Sequence, residues 1–157
     1  MLGALIALEL ICARFLSIHT ANLKIGFTFV PIVVAAILYG PVAGALVAAF
    51  GDIINAILFP VGLYMPGITL TAVFTAVVFG ICLKNKQTVL RTVIAVLVGQ
   101  FIGSLVFNTF WLSRLYQTPF MALFATRIYQ AVGMSVVQIV TIVAMNKTLI
   151  PALKKVK

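Results

Sequence analysis

Residues 40–70 read GPVAGALVAAFGDIINAILFPVGLYMPGITL. Gly40-Pro41 is a tight break. A proline opening a helix costs nothing there, because its missing N–H would have had no intrahelical partner. The apolar run at 42–59 approaches the ~20 residues that carry a helix across ~30 Å of hydrocarbon. Pro60-Val-Gly-Leu-Tyr-Met-Pro-Gly67 breaks the chain again, over a longer stretch, before an apolar segment at 65–84. Two long apolar runs holding one acid, Asp52, and separated by Gly- and Pro-containing breaks are the repeating unit of a polytopic helical membrane protein.

Working outward, the same pattern covers the chain, with apolar segments at about 2–18, 27–40, 42–59, 65–84, 90–112 and 119–149. The second has only about 14 residues, so it is expected to be short, tilted or sheltered by its neighbours. The chain is 64% hydrophobic and 8% charged, with a mean hydropathy of +1.25, whereas a soluble domain carries about a quarter charged residues. The expectation is one all-α integral membrane domain over residues 1–157, with six transmembrane helices. The first apolar run carries Glu9 and continues to Arg14 without a small-residue cleavage site, so it is expected to stay as a helix. Cys12 and Cys82 fall in separate runs and are assigned to packing, with neither a disulfide nor a metal site implied.

The formal charge of +9 is scattered among helix ends and does not form the dense solvated face of a nucleic-acid binder. Membrane orientation explains it, because loops rich in Lys and Arg stay in the cytoplasm. Lys84, Lys86 and Arg91 lie in the fourth loop, and Lys147, Lys154, Lys155 and Lys157 at the C-terminus. With six spans these places share one side with the N-terminus. Both termini are therefore expected in the cytoplasm, and residues 19–26, 60–66 and 113–119 outside.

Depth then ranks the polar residues, since a helix climbs ~1.5 Å per residue. Arg14, Asp52, Asn55, Asn108, Trp111 and Arg127 all map to the outer half, with Lys24 and Arg114 in the outer loops. An ionisable group in the bilayer costs several kcal/mol unless it faces the bundle interior or water, so Arg14, Asp52 and Arg127 are expected to point inward toward one another. One reading is a buried ion pair between Asp52 and Arg14 or Arg127 that fixes helix packing. The other is an outward-facing pocket for an anion, because one acid does not neutralise two embedded arginines with Lys24 and Arg114 close by. Phe15, Phe27, Phe29, Tyr64, Phe107, Phe110, Trp111 and Tyr116 also map outward, either as stacking partners for a flat ring or as an interfacial aromatic belt.

Gly3 and Ala7, Gly44 and Ala48, Ala72, Ala76 and Gly80, and Gly99 and Gly103 follow the small-xxx-small spacing that lets helices approach closely. Most of these describe internal packing, but Gly3 and Ala7, on the cytoplasmic half of the first helix, are placed to dock a partner. There is no GxxxxGK[ST] phosphate loop, no HExxH, and a single His19, so ATP hydrolysis by that route, metalloprotease chemistry and a histidine metal cluster are not expected. No metal or cofactor is implied, and binding without chemistry remains.

RFLSI, KIGFTFVPI, GPVAGALVAAFGDII, FPVGLYMPGITL and NTFWLSRLY, in this order and spacing, resemble the folate-specific S components of energy-coupling factor (ECF) vitamin transporters. The resemblance runs from the first helix to the sixth. It implies a six-helix bundle in the bacterial plasma membrane that captures folate from outside and works with a membrane T component and two cytoplasmic ATPase subunits. It further implies that residues 19–26, with His19, Thr20 and Asn22, form a gate. Gly3 and Ala7 would contact the T component, a glycine standing where the family motif has its first alanine.

Folate suits the outer residues chemically. Its flat pterin carries N–H donors for a carboxylate or amide, which suits Asp52 or Asn108, with Trp111, Tyr64 or a phenylalanine stacking. Its anionic glutamate tail suits Arg14, Lys24, Arg114 or Arg127, and an arginine fork matches a carboxylate best. Asp52 would otherwise orient an arginine. An S component for thiamine, riboflavin or pantothenate, or a structural membrane protein without ligand, are the alternatives.

Overall fold

The computed structural model describes residues 1–20, 23–60 and 64–156, and only the backbone of residues 18–20, 23–25, 153 and 156. Helix α1 runs over Leu2–Phe15, three residues short of the segment expected from hydropathy. The Ser17 hydroxyl donates to the Ala13 carbonyl in its last turn. An antiparallel hairpin of β1 (Ser17–Thr20) and β2 (Leu23–Gly26) comes next, in the register Ser17↔Gly26, Ile18↔Ile25, His19↔Lys24 and Thr20↔Leu23. Within the span expected as a gate loop, residues 19–20 and 23–26 are thus paired backbone. Alternating Ser-Ile-His-Thr and Leu-Lys-Ile-Gly, with β-branched residues in both halves, explain why.

Helix α2 (Phe29–Tyr39) is short as expected and carries a continuous buried run from Val33 to Ile37. It ends at Gly40, whose φ of 103° lies in a region that a side chain disfavours. Pro41 then opens α3 (Pro41–Leu58) at its first turn, as the break at 40–41 predicts. Helix α4 (Pro66–Leu83) likewise starts on a proline, and it packs most extensively against α3.

The fifth segment is one rod, Val89–Tyr116, with an unexpected middle. Helix α5 (Val89–Val98) passes into a π-helical stretch (Gly99–Asn108) and then into α6 (Thr109–Tyr116). Helix α7 (Phe120–Val156) runs well past the expected end near residue 149 and carries Pro151 inside it. Its last turn holds Lys154 and Lys155, which complement the negative end of the helix dipole.

The apolar core joins Phe29, Val33 and Ile37 to Phe79 and Leu83, Val96, and Ile142 and Ile150, and α2 is packed among α1, α3, α4 and α7. The small-residue pairs behave as their spacing suggests: Gly44, Ala48, Ala76, Gly80, Gly99 and Gly103 are buried, whereas Gly3 and Ala7 are exposed. On the outside, Leu70, Ile81, Val136 and Val140 are each more than half exposed, a surface suited to lipid and not to water. Four helices are long and apolar enough to cross a membrane: Pro41–Leu58, Pro66–Leu83, Val89–Tyr116 and Phe120–Ala152.

Candidate functional site

A cavity of about 200 Å³ lies inside the bundle, between α1, the start of α2, α3, α4, the π-helical stretch and α7. Its two acids are Glu9 from α1 and Asp52 from α3. Amides come from three elements, Asn55 on α3, Gln100 and Asn108 on the π-helical stretch, and Gln138 on α7. Thr28, Thr71, Thr75 and Ser104 add hydroxyls, and Phe29 and Phe79 add aromatic wall.

Asp52 is fixed from the side. The Thr69 hydroxyl donates to Asp52 Oδ2 at 2.5 Å, and the Tyr64 hydroxyl lies 2.9 Å from Thr69 Oγ1. A threonine hydroxyl has one proton, and here it is committed to the carboxylate, so Tyr64 donates into Thr69. This relay occupies one carboxylate oxygen and leaves the other available.

Glu9 is 6% exposed. Its carboxylate lies directly against the Cα of Gly51, where any Cβ would overlap it. The Gly51-Asp52 pair therefore does two things at one point of α3: the glycine makes room for one acid and the next residue supplies the other. Gln138, 5% exposed, and Asn108 each hold a buried side-chain carbonyl oxygen that has no hydrogen-bond partner among the described residues.

Of the residues singled out from sequence, Phe29, Asp52, Asn55 and Asn108 line the cavity. Tyr64 touches it only through Thr69. Trp111 sits outside the lining, with its indole packed on the Gly67 backbone and against the Phe110 ring at 5.5 Å.

Among the described residues, Arg14 and Asp52 take other partners in place of the expected convergence with Arg127. The Arg14 guanidinium is 5.1 Å from the centre of the Phe59 ring, and Asp52 bonds to Thr69 instead. A guanidinium at a helix end finds an aromatic face within reach and keeps its outer side in a polar layer, which is cheaper than burial beside a carboxylate. Arg114 similarly lies over Phe110 at 5.5 Å. Arg127 is half-buried, with a buried Nη1 that lacks a hydrogen-bond partner among the described residues. The side chains of His19, Thr20 and Lys24, and the whole of Asn22, lie outside the described residues.

Sequence reasoning missed Glu9, Gln100 and Gln138. All three are polar residues inside apolar segments, and that is the signal that marks a buried functional group in a membrane helix. Depth had drawn attention to the outer half alone.

A family model described as "ECF transporter, substrate-specific component" matches residues 1–153. The Folate transporter FolT of Clostridium novyi (strain NT) is 38% identical over 125 residues, 79% of this chain and 73% of that protein. The Folate transporter FolT of Leuconostoc mesenteroides subsp. mesenteroides is 29% identical over 146 residues, 88% of this chain and 78% of that protein. A crystal structure of FolT bound with folic acid matches with a TM-score of 0.87 and 27% identity, over 94% of this chain and 91% of that one. With the family matched across nearly its whole length and four helices fit to cross a bilayer, this chain is a multi-pass membrane protein and belongs to the substrate-specific components of ECF transporters.

Proposed function

We propose that this chain captures folate from the extracellular side of a bacterial plasma membrane and hands it to an energising module of one T component and two ATPase subunits. The observation that carries the reading is the polar cavity inside an apolar bundle, with Glu9, Asp52 and four amides around it. The folate-named relatives and the folic acid complex add support.

Folate binds by halves. Its pterin enters the cavity and gives N–H donors to Asp52 and its neighbours, with Asn108 offering amide groups to the same ring. The cavity volume of about 200 Å³ falls below the ~300–1,000 Å³ of sites that enclose a whole drug-sized ligand, so the benzoyl-glutamate half extends outward. Arg127 is the favoured partner of its carboxylates. It lies on the same helix as Gln138, about 16 Å along the axis at 1.5 Å per residue. Arg14 and Arg114 form an outer rim of positive charge that draws the anion in, and Trp111 with Tyr64 shapes the mouth.

All six helical segments cross the bilayer in this reading. Helices α1 and α2, with 14 and 11 residues, are shielded by their longer neighbours. Both termini are cytoplasmic, residues 19–26, with His19, Thr20 and Asn22, act as the outer gate, and exposed Gly3 and Ala7 meet the T component. Calorimetric titration of the detergent-purified chain with folate, thiamine, riboflavin and pantothenate tests the assignment. Saturable binding of folate alone is expected, and preference for another vitamin refutes it.

A further inference from the structure

We propose that the end of the bundle formed by the α4–α5 connection and the last turns of α7 binds the phosphate headgroups of anionic phospholipids, with Arg91 and Lys147 at its centre. The inference stands on the charge and packing of that end and is independent of what occupies the cavity.

Six cations reach this end from two stretches of sequence. Lys84, Lys86 and Arg91 lie between the end of α4 and the first turn of α5, and Lys147, Lys154 and Lys155 near the end of α7. Packing brings the two stretches together. Asn146 Nδ2 lies 3.5 Å from Thr92 Oγ1, so Arg91 and Lys147, their exposed neighbours in sequence, flank one contact between α5 and α7. Leu83 and Ile150 are fully buried in one apolar core, which brings Lys84, next to Leu83, toward the closing turns of α7. Lys147, Ile150 and Lys154 follow the i, i+3, i+7 spacing of one helix face. The two lysines are therefore about 10 Å apart along the side of α7 that meets the bundle.

No acidic side chain answers these cations. The chain has two acids, and both line the cavity. Like charges gathered at one end repel one another and concentrate anions around them. Ile81, one turn before Lys84, and Val89 and Leu90, just before Arg91, are each more than half exposed. Apolar surface beside positive charge fits a molecule that carries both acyl chains and a phosphate, whereas a free phosphate would use only the charge. Helix α7 has 37 residues, about 55 Å at 1.5 Å per residue, against about 40–45 Å for a bilayer with its headgroups. Its basic last turns thus reach headgroup level, where a cluster of about four to eight Lys and Arg residues next to a membrane helix recruits anionic lipid.

Native mass spectrometry of the detergent-purified full chain, titrated with dioleoylphosphatidylglycerol or dioleoylphosphatidylcholine, reads bound lipid directly. The wild type is expected to prefer phosphatidylglycerol by more than about tenfold at low salt, and the gap should narrow as ionic strength rises. Arg91→Gln combined with Lys147→Gln should remove most of the preference, at about fivefold per cation. Arg91→Lys combined with Lys147→Arg keeps both charges and should keep the preference. Lys154→Gln combined with Lys155→Gln, at the exposed end of α7, should shrink it in the same way without touching the packed part of the bundle. Equal binding of the two lipids by the wild type overturns the proposal. So does a preference that survives both glutamine pairs, and reduced co-purification of partner subunits in those same variants would then assign the surface to a protein interface. Displacement of phosphatidylglycerol by inorganic phosphate beyond that caused by chloride at equal ionic strength marks a site for the free ion and also overturns it.

Discussion

Replacing Thr69 with valine keeps the shape of a side chain that is 7% exposed and deletes the hydroxyl between Tyr64 and Asp52. The bond to the carboxylate is charge-assisted, a kind worth about 1.5–3 kcal/mol. Asp52 is only partly buried and faces a cavity that water can enter, so the lower end applies. About 1.5 kcal/mol corresponds to a roughly tenfold rise in Kd for folate, because the carboxylate loses its fixed orientation before the ligand arrives. Thr69→Ser keeps the hydroxyl and should stay within about twofold of wild type. Tyr64→Phe removes only the outer, neutral bond of the relay at a half-exposed residue, and should cost about threefold. Calorimetric titrations of the three purified variants, with thermal midpoints as the control for folding, measure the series. Wild-type affinity in Thr69→Val would refute the claim that the relay holds Asp52 for the ligand, as would equal losses in the valine and serine variants.

Other perturbations test separate parts of the account. Arg127→Ala should weaken folate strongly while leaving the affinity for pterin alone unchanged, as measured by competition binding; loss of both would place Arg127 at the ring and not at the tail. Gly67→Ala forces a Cβ into the Trp111 indole, an overpacking expected to cost about 1–3 kcal/mol, and a thermal melt of the purified protein should show a lowered midpoint. In inside-out and right-side-out vesicles, Lys86→Cys should react with an impermeant thiol reagent only from the cytoplasmic face and Thr118→Cys only from the outer face, which checks the topology. Gly3→Leu should leave folate binding intact and lower co-purification of the T component, because Gly3 has open space around it and the added bulk meets only a partner.

Much of the architecture is legible from residue order. The breaks at Gly40-Pro41 and Pro66 mark helix starts because proline has few other places to sit, and the structure opens α3 and α4 on those residues. The close helix contacts at Gly44, Gly80, Gly99 and Gly103 follow from small-residue pairs whose spacing is visible directly. The π-helical stretch over Gly99–Asn108 is not visible, since its hydropathy is that of any apolar helix and the change of hydrogen-bond register leaves no mark in composition. The β1–β2 pairing shows in sequence only as the brief alternation of Ser17–Thr20 and Leu23–Gly26, four residues each, which a short polar connection between two helices also carries. Within the site, height along the bilayer separates Asp52 and Asn108 from the surface, but height says nothing of direction around a helix. Arg14 and Asp52 share a depth range, yet one stacks on Phe59 and the other lines the cavity. Glu9 lies in the first apolar run, and only the packing of α1 against Gly51 shows that its carboxylate comes to the residue before Asp52.

The measurement that bears most directly on the account is a crystal structure of this chain grown with folate. The pterin should occupy the cavity with its N–H edge against Asp52, and the glutamate tail should run toward Arg127. Folate bound at the outer rim with the cavity still open, or inverted with its glutamate beside the two acids, would contradict it.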